Sequence, residues 1–521
     1  MQEYKNANTM SENGEHLKRM CGMMITDVMN EGDAGMEETK DSLYAAFKAK
    51  DTRFDGRFFV GISSTGIYCR PVCRAKQAKK ENCTFFSSAA EAEAAGFRPC
   101  LLCRPELAPG GSEADAASVL AHKAAVLLEE NCGSGQSLSE LAGRLGCTDR
   151  HLRRVFMEAY HVSPVQYLQT CRLLLAKSLL TDTGLSVLDV AMAAGFGSLR
   201  RLNDLFQEHY GLAPTALRKK TAEGKGHTET ITAGLGYRPP YGWEKILEFL
   251  SQRAIPGVEA VRDGAYERTV CLTDRKGKTV RGWVSVRNDG EKNRLVVTLG
   301  DTLVTVMPQV LARIRRMFDL CCNPGIIGET LQVMNDISPG LWVPGTRIPG
   351  CFDSFEMSVR AVLGQQITVK AAGTLAGKIA GTYGKPIKTG IPGLTHTFPS
   401  AGDIVALSGP IEEHLGVLGV IAARSRCILA IAQALTDGKI SLDFCADPET
   451  EMKKLLGIKG IGNWTARYIA MRTLGWTDAF LETDVGIKKA LPDRTEKEMR
   501  ELSEKWSPWR SYVTISLWNS L

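Results

Sequence analysis

The sequence predicts a multidomain, mainly α-helical protein that also contains a small cysteine-rich α/β domain and a second, α+β domain. Its 521 residues are too many for one hydrophobic core and suggest three or four domains. Three patterns lie in separate parts of the chain: two close cysteine pairs, an internal repeat, and a glycine-rich hairpin between helical segments. Each pattern indicates a different kind of domain.

The composition is that of an ordinary globular protein, with 23% charged and 44% hydrophobic residues. A net charge of +6 is compatible with a nucleic-acid partner without requiring one. No apolar run approaches the roughly 18 to 20 residues of a membrane span, and no signal-peptide core is present, so we expect a cytoplasmic protein without a membrane partner. Residues 1–40 show no sustained period and are predicted to be a mobile tail.

Residues 41–110 contain the paired cysteines. Cys69 and Cys73 form one close pair and Cys100 and Cys103 the other, a spacing typical of a tetrahedral four-thiolate zinc site. Buried free thiols are the alternative, but the other cysteines show no such pairing. A structural zinc would help so small a segment to fold.

The segments TGIYCRPVCRAK and GFRPCLLC in this region resemble the N-terminal domain of the Ada family. The resemblance implies a sensor of DNA methylphosphotriesters in which Cys69 is both zinc ligand and methyl acceptor. Methylation would remove one negative charge from the thiolate cluster irreversibly, so the affinity for DNA should rise. The resemblance places DNA contacts at Thr65, Arg74, Lys76 and Arg98.

Residues 115–222 contain two similar units, SLSELAGRLGC…RVFMEAYHVSP and SVLDVAMAAGFG…DLFQEHYGLAP. Each unit predicts a helix, a glycine-containing turn and a second, basic helix, which is typical of helix-turn-helix domains. The pair resembles the AraC-type DNA-binding domain, which implies promoter DNA and RNA polymerase as partners. A plain helical bundle is the alternative. The basic residues are Arg150, Arg153, Arg154, Arg200 and Arg201.

A polar linker is predicted at 219–232, and residues 233–318 are predicted to form an α+β domain. Helices are expected at Trp243–Arg253 and Met307–Phe318. The alternating segments TVRGWVSVRN and RLVVTLG between them predict a small antiparallel sheet with helices on one face. The pattern assigns no chemistry to this region.

Residues 319–521 are predicted to be all-helical and to hold the active site. The segment LGIKGIG forms a tight hairpin, which opens a helix near Asn463 whose free N–H groups suit a DNA phosphate. Nucleotide-binding glycine loops follow a strand, whereas Glu449–Leu456 before this hairpin has a helical pattern.

From about Leu235 to the C-terminus, several segments in the same order resemble the AlkA-type 3-methyladenine glycosylases of the helix-hairpin-helix superfamily. They are YRPPYGWEKILEFLSQRAIPGVE, FDLCCNPGIIG, FEMSVRAVLGQQITV, GIKGIGNWTARYIAMR and WSPWRSYVTISLW. The resemblance implies that Asp484 is the catalytic carboxylate, although an aspartate before a helical run is more often an N-cap. It further implies that Gly460 and Gly462 grip DNA and that the hairpin binds a monovalent cation.

The same resemblance implies an aromatic base pocket at Trp464, Tyr468 and Trp518. Residues Phe355–Gly364 with Gln365, Gln366 and Ile367 match the family's wedge loop, where Gln366 would fill the gap left by an extruded nucleotide. Aromatic residues at helical spacing are usually core, and the wedge segment is also compatible with an ordinary turn.

Two absences refine the expected chemistry. Trp464 stands where bifunctional relatives place a Schiff-base lysine, which predicts a monofunctional glycosylase that leaves an abasic site. No cysteine is followed by histidine, so the Pro-Cys-His-Arg motif of direct O6-methylguanine repair is missing. The sequence therefore predicts a glycosylase fused to an alkylation-responsive regulator. The alternative is chiefly a transcription factor whose glycosylase-like half serves as a DNA-binding scaffold.

Overall fold

The computed structural model describes residues 39–112, 118–133, 136–221, 230–443 and 446–521. Almost all of the predicted mobile tail, residues 1–40, therefore lies outside the described residues. The chain divides into two units, residues 1–45 and 46–521. Among the described helices, none has both the length and the apolar character required to cross a bilayer.

The cysteine-rich region is a small α/β fold. Its elements are α1 (Lys40–Ala49), β1 (Phe59–Ile62), β2 (Ile67–Cys69), β3 (Cys83–Phe86), α2 (Ala89–Ala94) and β4 (Arg98–Pro99). The sheet order is β3-β1-β2-β4, with β1 antiparallel to both β2 and β3 and with β2 parallel to β4. Tyr68 pairs with Pro99 in this parallel register, so the following residues, Cys69 and Cys100, emerge at the same end of the sheet.

The next region consists of helices only. They are α3 (Val119–Glu130), α4 (Leu138–Arg144), α5 (Asp149–Tyr160), α6 (Pro164–Asp182), α7 (Val187–Ala193), α8 (Leu199–Tyr210) and α9 (Pro214–Thr221). The internal repeat is visible in equivalent places. Gly146 and Gly195 both have positive φ, +69° and +82°, in the turn after the first helix of each unit. Phe156 and Phe206 are both fully buried on the second helix. The described chain thus folds as two like helix-turn-helix units joined by α6.

The α+β region is built on a five-stranded antiparallel sheet of order β5-β9-β8-β7-β6. Its elements are β5 (Thr230–Gly236), α10 (Trp243–Arg253), β6 (Glu259–Arg262), β7 (Ala265–Thr273), β8 (Thr279–Asp289), β9 (Arg294–Gly300) and α11 (Met307–Met317). The predicted linker 219–232 is too long at both ends. Helix α9 continues to Thr221, and Thr230 already pairs with Gly300, because that segment supplies the edge strand of the sheet.

The C-terminal region is helical, as predicted. Its helices are α12 (Pro324–Leu331), α13 (Ser354–Leu363), α14 (Val369–Tyr383), α15 (Ala401–Val405), α16 (Ile411–Gly416), α17 (Ala422–Thr436), α18 (Pro448–Leu456), α19 (Asn463–Thr473), α20 (Val485–Ala490), α21 (Glu496–Ser503) and α22 (Arg510–Asn519). One hydrophobic core extends from α6 through the sheet into these helices. Helix α10 of the α+β region is therefore packed against the helices that carry the candidate active site.

Polar contacts also join the front half of the chain to the back half. Arg316 donates two hydrogen bonds to Glu130, at 2.5 and 2.9 Å, and Arg144 donates one to Asp443 at 2.9 Å. Gly236 lies so close to the Leu107 carbonyl that a Cβ placed there would come within 2.1 Å of its oxygen. The two halves are thus packed against each other within residues 46–521.

Candidate metal and catalytic sites

The four predicted zinc ligands converge. The sulfur atoms of Cys69, Cys73, Cys100 and Cys103 all lie within 4.8 Å of one another. Cys69 is only 2% exposed, and Cys103 is the most accessible of the four. The backbone N–H of Arg70 lies 3.4 Å from the Cys103 sulfur and donates to it. Soft sulfur donors in a closed set of four are the ligands that a structural zinc ion prefers.

Hydrogen bonds among the four thiols shift their pKa values in different directions. Hydrogen bonding, first to Cys100 and then to Cys103 and Cys73, raises the pKa of Cys69 well above its ordinary value. Hydrogen bonding to Cys100 also raises the pKa of Cys103. Hydrogen bonds to Cys103, Cys69 and Cys73 in turn lower the pKa of Cys100, and a bound metal ion would deprotonate the thiols that coordinate it.

Cys69 lies between two residues that are anchored elsewhere in the protein. On one side Arg70 pairs with the buried Asp55. On the other side the hydroxyl of Tyr68 donates to Glu93 on α2 at 3.1 Å. The two residues that flank Cys69 are therefore both held by side-chain contacts.

Glu93 joins this domain to the helix-turn-helix region. Besides Tyr68, the hydroxyls of Thr170 on α6 and Tyr210 on α8 donate to its carboxylate, at 2.9 and 3.3 Å. Burial raises the pKa of Glu93 to about 7 despite these donors. This residue was not predicted, because no sequence pattern indicates that a glutamate in an alanine-rich helix is buried.

The predicted DNA-contacting residues of this domain all lie on its surface. Thr65, Arg74, Lys76 and Arg98 are exposed. The Thr65 hydroxyl donates to the Ile62 carbonyl at 3.3 Å, and Arg98 lies in β4 beside the cysteine cluster. Their contact with DNA remains a prediction.

The basic residues of the two helix-turn-helix units are exposed on α5 and α8, as a DNA-reading surface requires. Several have partners on their own helix. Arg153 contacts Asp149 at 2.9 Å, and Arg154 contacts Glu158 at 2.9 Å. Such i,i+4 pairs on exposed helix surfaces contribute little stability and leave the guanidinium groups accessible to phosphates.

Asp484 lies at the N-cap of α20 and accepts four hydrogen bonds. The backbone N–H groups of Gly486 and Ile487 donate to Oδ1 at 2.8 and 3.2 Å. The indole of Trp518 donates to Oδ1 at 2.8 Å, and that of Trp464 donates to Oδ2 at 3.0 Å. The N-cap role and the predicted catalytic role therefore concern the same carboxylate. It remains partly exposed, so it is also accessible to another molecule.

The predicted aromatic residues meet beside this carboxylate. Trp464 stacks on Tyr468 with ring centroids 5.1 Å apart, and Tyr468 meets Trp518 edge-on at 6.2 Å. Burial alone would raise the pKa of Tyr468, but the charges of Arg472 and Arg253 outweigh it and lower the pKa. Tyr468 is buried, whereas the two tryptophans are partly exposed.

Two residues of this cluster come from the α+β region, to which the sequence analysis assigned no chemistry. Phe249 on α10 stacks on Trp518 at 6.2 Å, and the Arg253 guanidinium lies 3.7 Å from the centre of the Phe249 ring. The spacing of Phe249 and Arg253, one helical turn apart, was the only available signal. That spacing does not distinguish a pocket from a core.

The glycine hairpin has the predicted position between α18 and α19. Only Gly460 needs a positive φ, +100°, whereas Gly457 and Gly462 have negative values. Gly462 is the N-cap of α19 and supplies no side-chain cap to the first N–H groups of this helix. A Cβ at Gly462 would meet nothing within 4 Å, which indicates an open surface here. Binding of DNA or of a monovalent cation at this hairpin remains a prediction.

The predicted wedge segment is mostly helix. Residues 355–363 belong to α13, and the turn itself comprises only residues 364–368. Gln366 is at its exposed tip with a φ of +54°, which is uncommon for a residue other than glycine. The local sequence favours a helix up to Gly364, which is why the turn is shorter than the matched segment.

A cavity of about 370 Å³ lies elsewhere, between the domains. Glu129, Cys171, Arg316 and Tyr512 are among the residues that line it, and Asp484 is not. This cavity is therefore separate from the Asp484 site.

Three family models match the chain. The metal binding domain of Ada matches residues 42–106, a helix-turn-helix domain matches 141–220, and the AlkA N-terminal domain matches 232–353. The last of these extends beyond residue 318, where we placed the end of the α+β domain. The metal-binding match and the buried cysteine cluster together support one zinc ion.

Relatives cover both halves. The chain is 36% identical to the "Probable bifunctional transcriptional activator/DNA repair enzyme AlkA" of Mycobacterium tuberculosis, over 93% of this chain and 97% of that protein. It is 35% identical to DNA-3-methyladenine glycosylase 2 of Escherichia coli, over 54% of this chain and 95% of that enzyme. It is 34% identical to the bifunctional transcriptional activator/DNA repair enzyme Ada of E. coli, over 30% of this chain and 43% of that protein.

The fold and the matches define a class of protein in which an Ada-type metal-binding domain and a double helix-turn-helix domain precede an AlkA-type domain. Within that class, the mycobacterial protein is similar to this chain over nearly the full length of both proteins. The chain belongs to the family of bifunctional transcriptional activator/DNA repair enzymes.

Proposed function

We propose that the C-terminal half is a monofunctional DNA glycosylase that removes alkylated bases such as 3-methyladenine and 7-methylguanine. The observation that carries this proposal is the Asp484 carboxylate, held by four N–H donors at a partly exposed position beside the aromatic cluster and the glycine hairpin. The similarity to DNA-3-methyladenine glycosylase 2 supports the choice of substrate.

The geometry suits cleavage of an N-glycosidic bond. As the bond between C1′ and the base nitrogen breaks, its electrons leave with the base and positive charge develops on the sugar. Asp484 stabilises that charge, and water then forms the new C1′–O bond and gives up a proton. Four N–H donors fix the orientation of the carboxylate.

The aromatic cluster suits the leaving group. A purine alkylated at N3 or N7 is cationic, and Trp464, Tyr468 and Trp518 offer it ring faces for stacking and cation–π attraction. Such a base departs as a neutral molecule, so little acid catalysis is required. Because Trp464 occupies the place of a Schiff-base lysine, we propose that the product is an abasic site in an intact strand.

In the front half we propose that Cys69 accepts a methyl group from a DNA methylphosphotriester. A bound zinc ion would hold the Cys69 sulfur as a thiolate at neutral pH. In the transfer the S–C bond forms, the methyl C–O bond breaks, and the phosphate leaves as a diester anion. The exposed Thr65, Arg74, Lys76 and Arg98 would hold the DNA backbone during this step.

We further propose that the methylated protein activates transcription through its two helix-turn-helix units and RNA polymerase. The name of the mycobacterial relative supports the activator role. Loss of one negative charge from the thiolate cluster would strengthen binding to the phosphate backbone. We propose a cytoplasmic location, because the protein would act there on chromosomal DNA and its cysteines would stay reduced.

The glycosylase proposal is tested with duplexes that contain 3-methyladenine or 7-methylguanine. The wild-type protein should release the free base and leave the strand uncut. Asp484→Asn should lower the rate of release by about 10² to 10⁴-fold while binding to an abasic duplex is kept. Release by Asp484→Asn at the wild-type rate, or strand cleavage by the wild type, would contradict the proposal.

The methyl-acceptor proposal is tested by mass spectrometry after exposure to DNA that carries methylphosphotriesters. One added methyl group is expected, on Cys69. Methylation at another cysteine, or at none, would exclude the proposed step.

The alternative function is a transcription factor whose C-terminal half only binds DNA. It predicts normal activation together with no release of base by the wild-type protein. The four donors on Asp484 favour an enzyme, because a scaffold does not require an oriented, partly exposed carboxylate.

A further inference from the structure

The turn after α13 is tied to the glycine hairpin by a single side chain. The Gln365 amide donates to the carbonyl oxygen of Gly460 at 2.9 Å and to the hydroxyl of Thr465 at 3.1 Å. The guanidinium of Arg424, on α17, donates to the Gln365 backbone carbonyl. The next residue, Gln366, is the exposed tip of the turn, whereas Gln365 itself is turned inward.

These contacts fix a strained backbone. Gln366 has a φ of +54°, and a residue other than glycine adopts this conformation only where its surroundings enforce it. The hairpin that receives the Gln365 amide packs closely on α17. A Cβ at Gly460 would lie 3.2 Å from the Cβ of Cys427, which is on the same helix as Arg424. The turn, the hairpin and α17 are therefore in direct contact with one another.

The same contacts lead to the catalytic carboxylate. Thr465, which accepts from Gln365, directly follows Trp464, whose indole donates to Asp484 at 3.0 Å. Hydrogen bonds thus connect both the turn that carries Gln366 and the Asp484 carboxylate to the first turn of α19. A shift of the turn relative to α19 would change the distance between Gln366 and the place of the reacting sugar.

We propose that Gln365 is a positioning residue for extrusion of the damaged nucleotide. It sets the wedge, Gln366, at a fixed place relative to the hairpin that grips the strand and to Asp484. This inference rests on the proposed glycosylase function and extends it. Gln365 touches neither the base nor the sugar and acts through Gln366 and Thr465.

The test compares two substrates that differ in the cost of extrusion. One is a duplex with 7-methylguanine paired to cytosine, and the other carries the same base in a single-nucleotide bulge, which needs no plug to stay extruded. Single-turnover rates at saturating protein are measured for both. Gln365→Ala should lower the rate on the paired substrate about tenfold, the effect of losing one to two amide hydrogen bonds. The rate on the bulge should change less than about twofold, because its nucleotide is already outside the stack.

Further variants sharpen the result. Gln365→Glu keeps the size of the side chain but replaces the donor by oxygens that face the Gly460 carbonyl, so its loss on the paired substrate should exceed that of Gln365→Ala. Gln433→Ala, an exposed glutamine on α17, is the matched control and should change neither rate. If Gln365→Ala fails to fold, Thr465→Val removes one acceptor of the same amide and should lower the paired rate selectively by a smaller factor.

The outcomes are separable. Equal losses on both substrates, or a lower unfolding temperature with an unchanged ratio of rates, would show a merely structural role and overturn the inference. An active wild type with an unaffected Gln365→Ala would overturn it as well, while the proposed function would stand. A wild type that releases no base from either substrate would overturn both.

Discussion

The cysteine cluster and the Asp484 site differ in the exposure and in the hydrogen-bond partners of their reactive groups. Cys69 is 2% exposed and lies among three other sulfurs, whose hydrogen bonds raise its pKa. Asp484 is partly exposed and accepts four hydrogen bonds from N–H groups of the chain. The Cys69 sulfur is therefore surrounded by other metal-ligating sulfurs, whereas the Asp484 carboxylate is oriented by N–H donors of the chain.

This difference matches the two proposed chemistries. A carboxylate held by fixed donors is unchanged after each cycle and can turn over many substrates. A thiolate that takes up a methyl group becomes a thioether and is consumed, so its site can act once and then report the event. One chain can thus hold a catalyst and a single-use sensor, because the Asp484 carboxylate and the Cys69 sulfur have different surroundings.

The largest expected effect is a crossed loss of function. Cys69→Ser should abolish methyl uptake and leave base release within about twofold of wild type, while Asp484→Asn should lower base release by about 10² to 10⁴-fold and leave methyl uptake unchanged. Methyl uptake is measured by mass spectrometry and base release by chromatography. A loss of both activities in either variant would contradict the independence of the two sites.

Removal of zinc should separate the sites next. A chelator is expected to unfold the cysteine-rich domain, because four uncompensated thiols remain and the domain has little core of its own. Base release should persist, since the four hydrogen-bond donors to Asp484 belong to the chain and lie outside the cysteine cluster. Circular dichroism and the excision assay on the same sample measure the two effects. Loss of base release at the rate of metal removal would contradict this prediction.

The donors to Asp484 should each matter by a smaller factor. Trp518→Phe and Trp464→Phe keep a ring but remove an N–H donor to a charged group, so each should lower the single-turnover rate roughly ten- to hundredfold.

The control for these two variants is Trp476→Phe, which changes a partly buried tryptophan outside the Asp484 arrangement. It should leave the rate unchanged. If both indole donors prove dispensable, the carboxylate is not stabilised by the chain in the way proposed.

The smallest expected effect concerns Glu93, the buried link between the sensor and the helix-turn-helix region. Its pKa in the folded protein is about 7, above the ordinary value of 4.5, so the folded state keeps a proton that the unfolded state releases between these pH values. The contribution of Glu93 to stability is therefore highest at low pH and falls as the pH rises through 7. The slope should not exceed about 1.4 kcal/mol per pH unit.

Glu93→Gln removes this titration and should flatten the dependence of the unfolding temperature on pH between 5 and 8. His209, whose Nδ1 lies 3.9 Å from Glu93, and the nearby Lys177 are present in both proteins, so the difference between the two curves isolates Glu93. Identical curves for the wild type and the variant would show that Glu93 stays ionised in the folded state.

Much of this protein could be predicted from short-range patterns. The cysteine pairs, the units of the repeat and the glycine hairpin are each recognised from residues that lie close together in the sequence. Helix α10 spans Trp243–Arg253 as predicted, and α19 begins at Asn463 as predicted, because periodicity and glycine placement determine helix bounds nearby. The resemblance of these same patterns also selected the families that the comparisons confirm.

Local sequence patterns indicate which domains are present and which residue types carry the chemistry. The neighbours of those residues follow from the folding of the whole chain: Phe249 packs against Trp518, Tyr210 donates to Glu93, and Gln365 donates to Gly460. Each of these pairs joins residues about 100 or more positions apart, and periodicity reports that a side chain is buried without reporting what it meets. Contacts of that kind depend on how whole elements pack, which no local pattern of letters specifies.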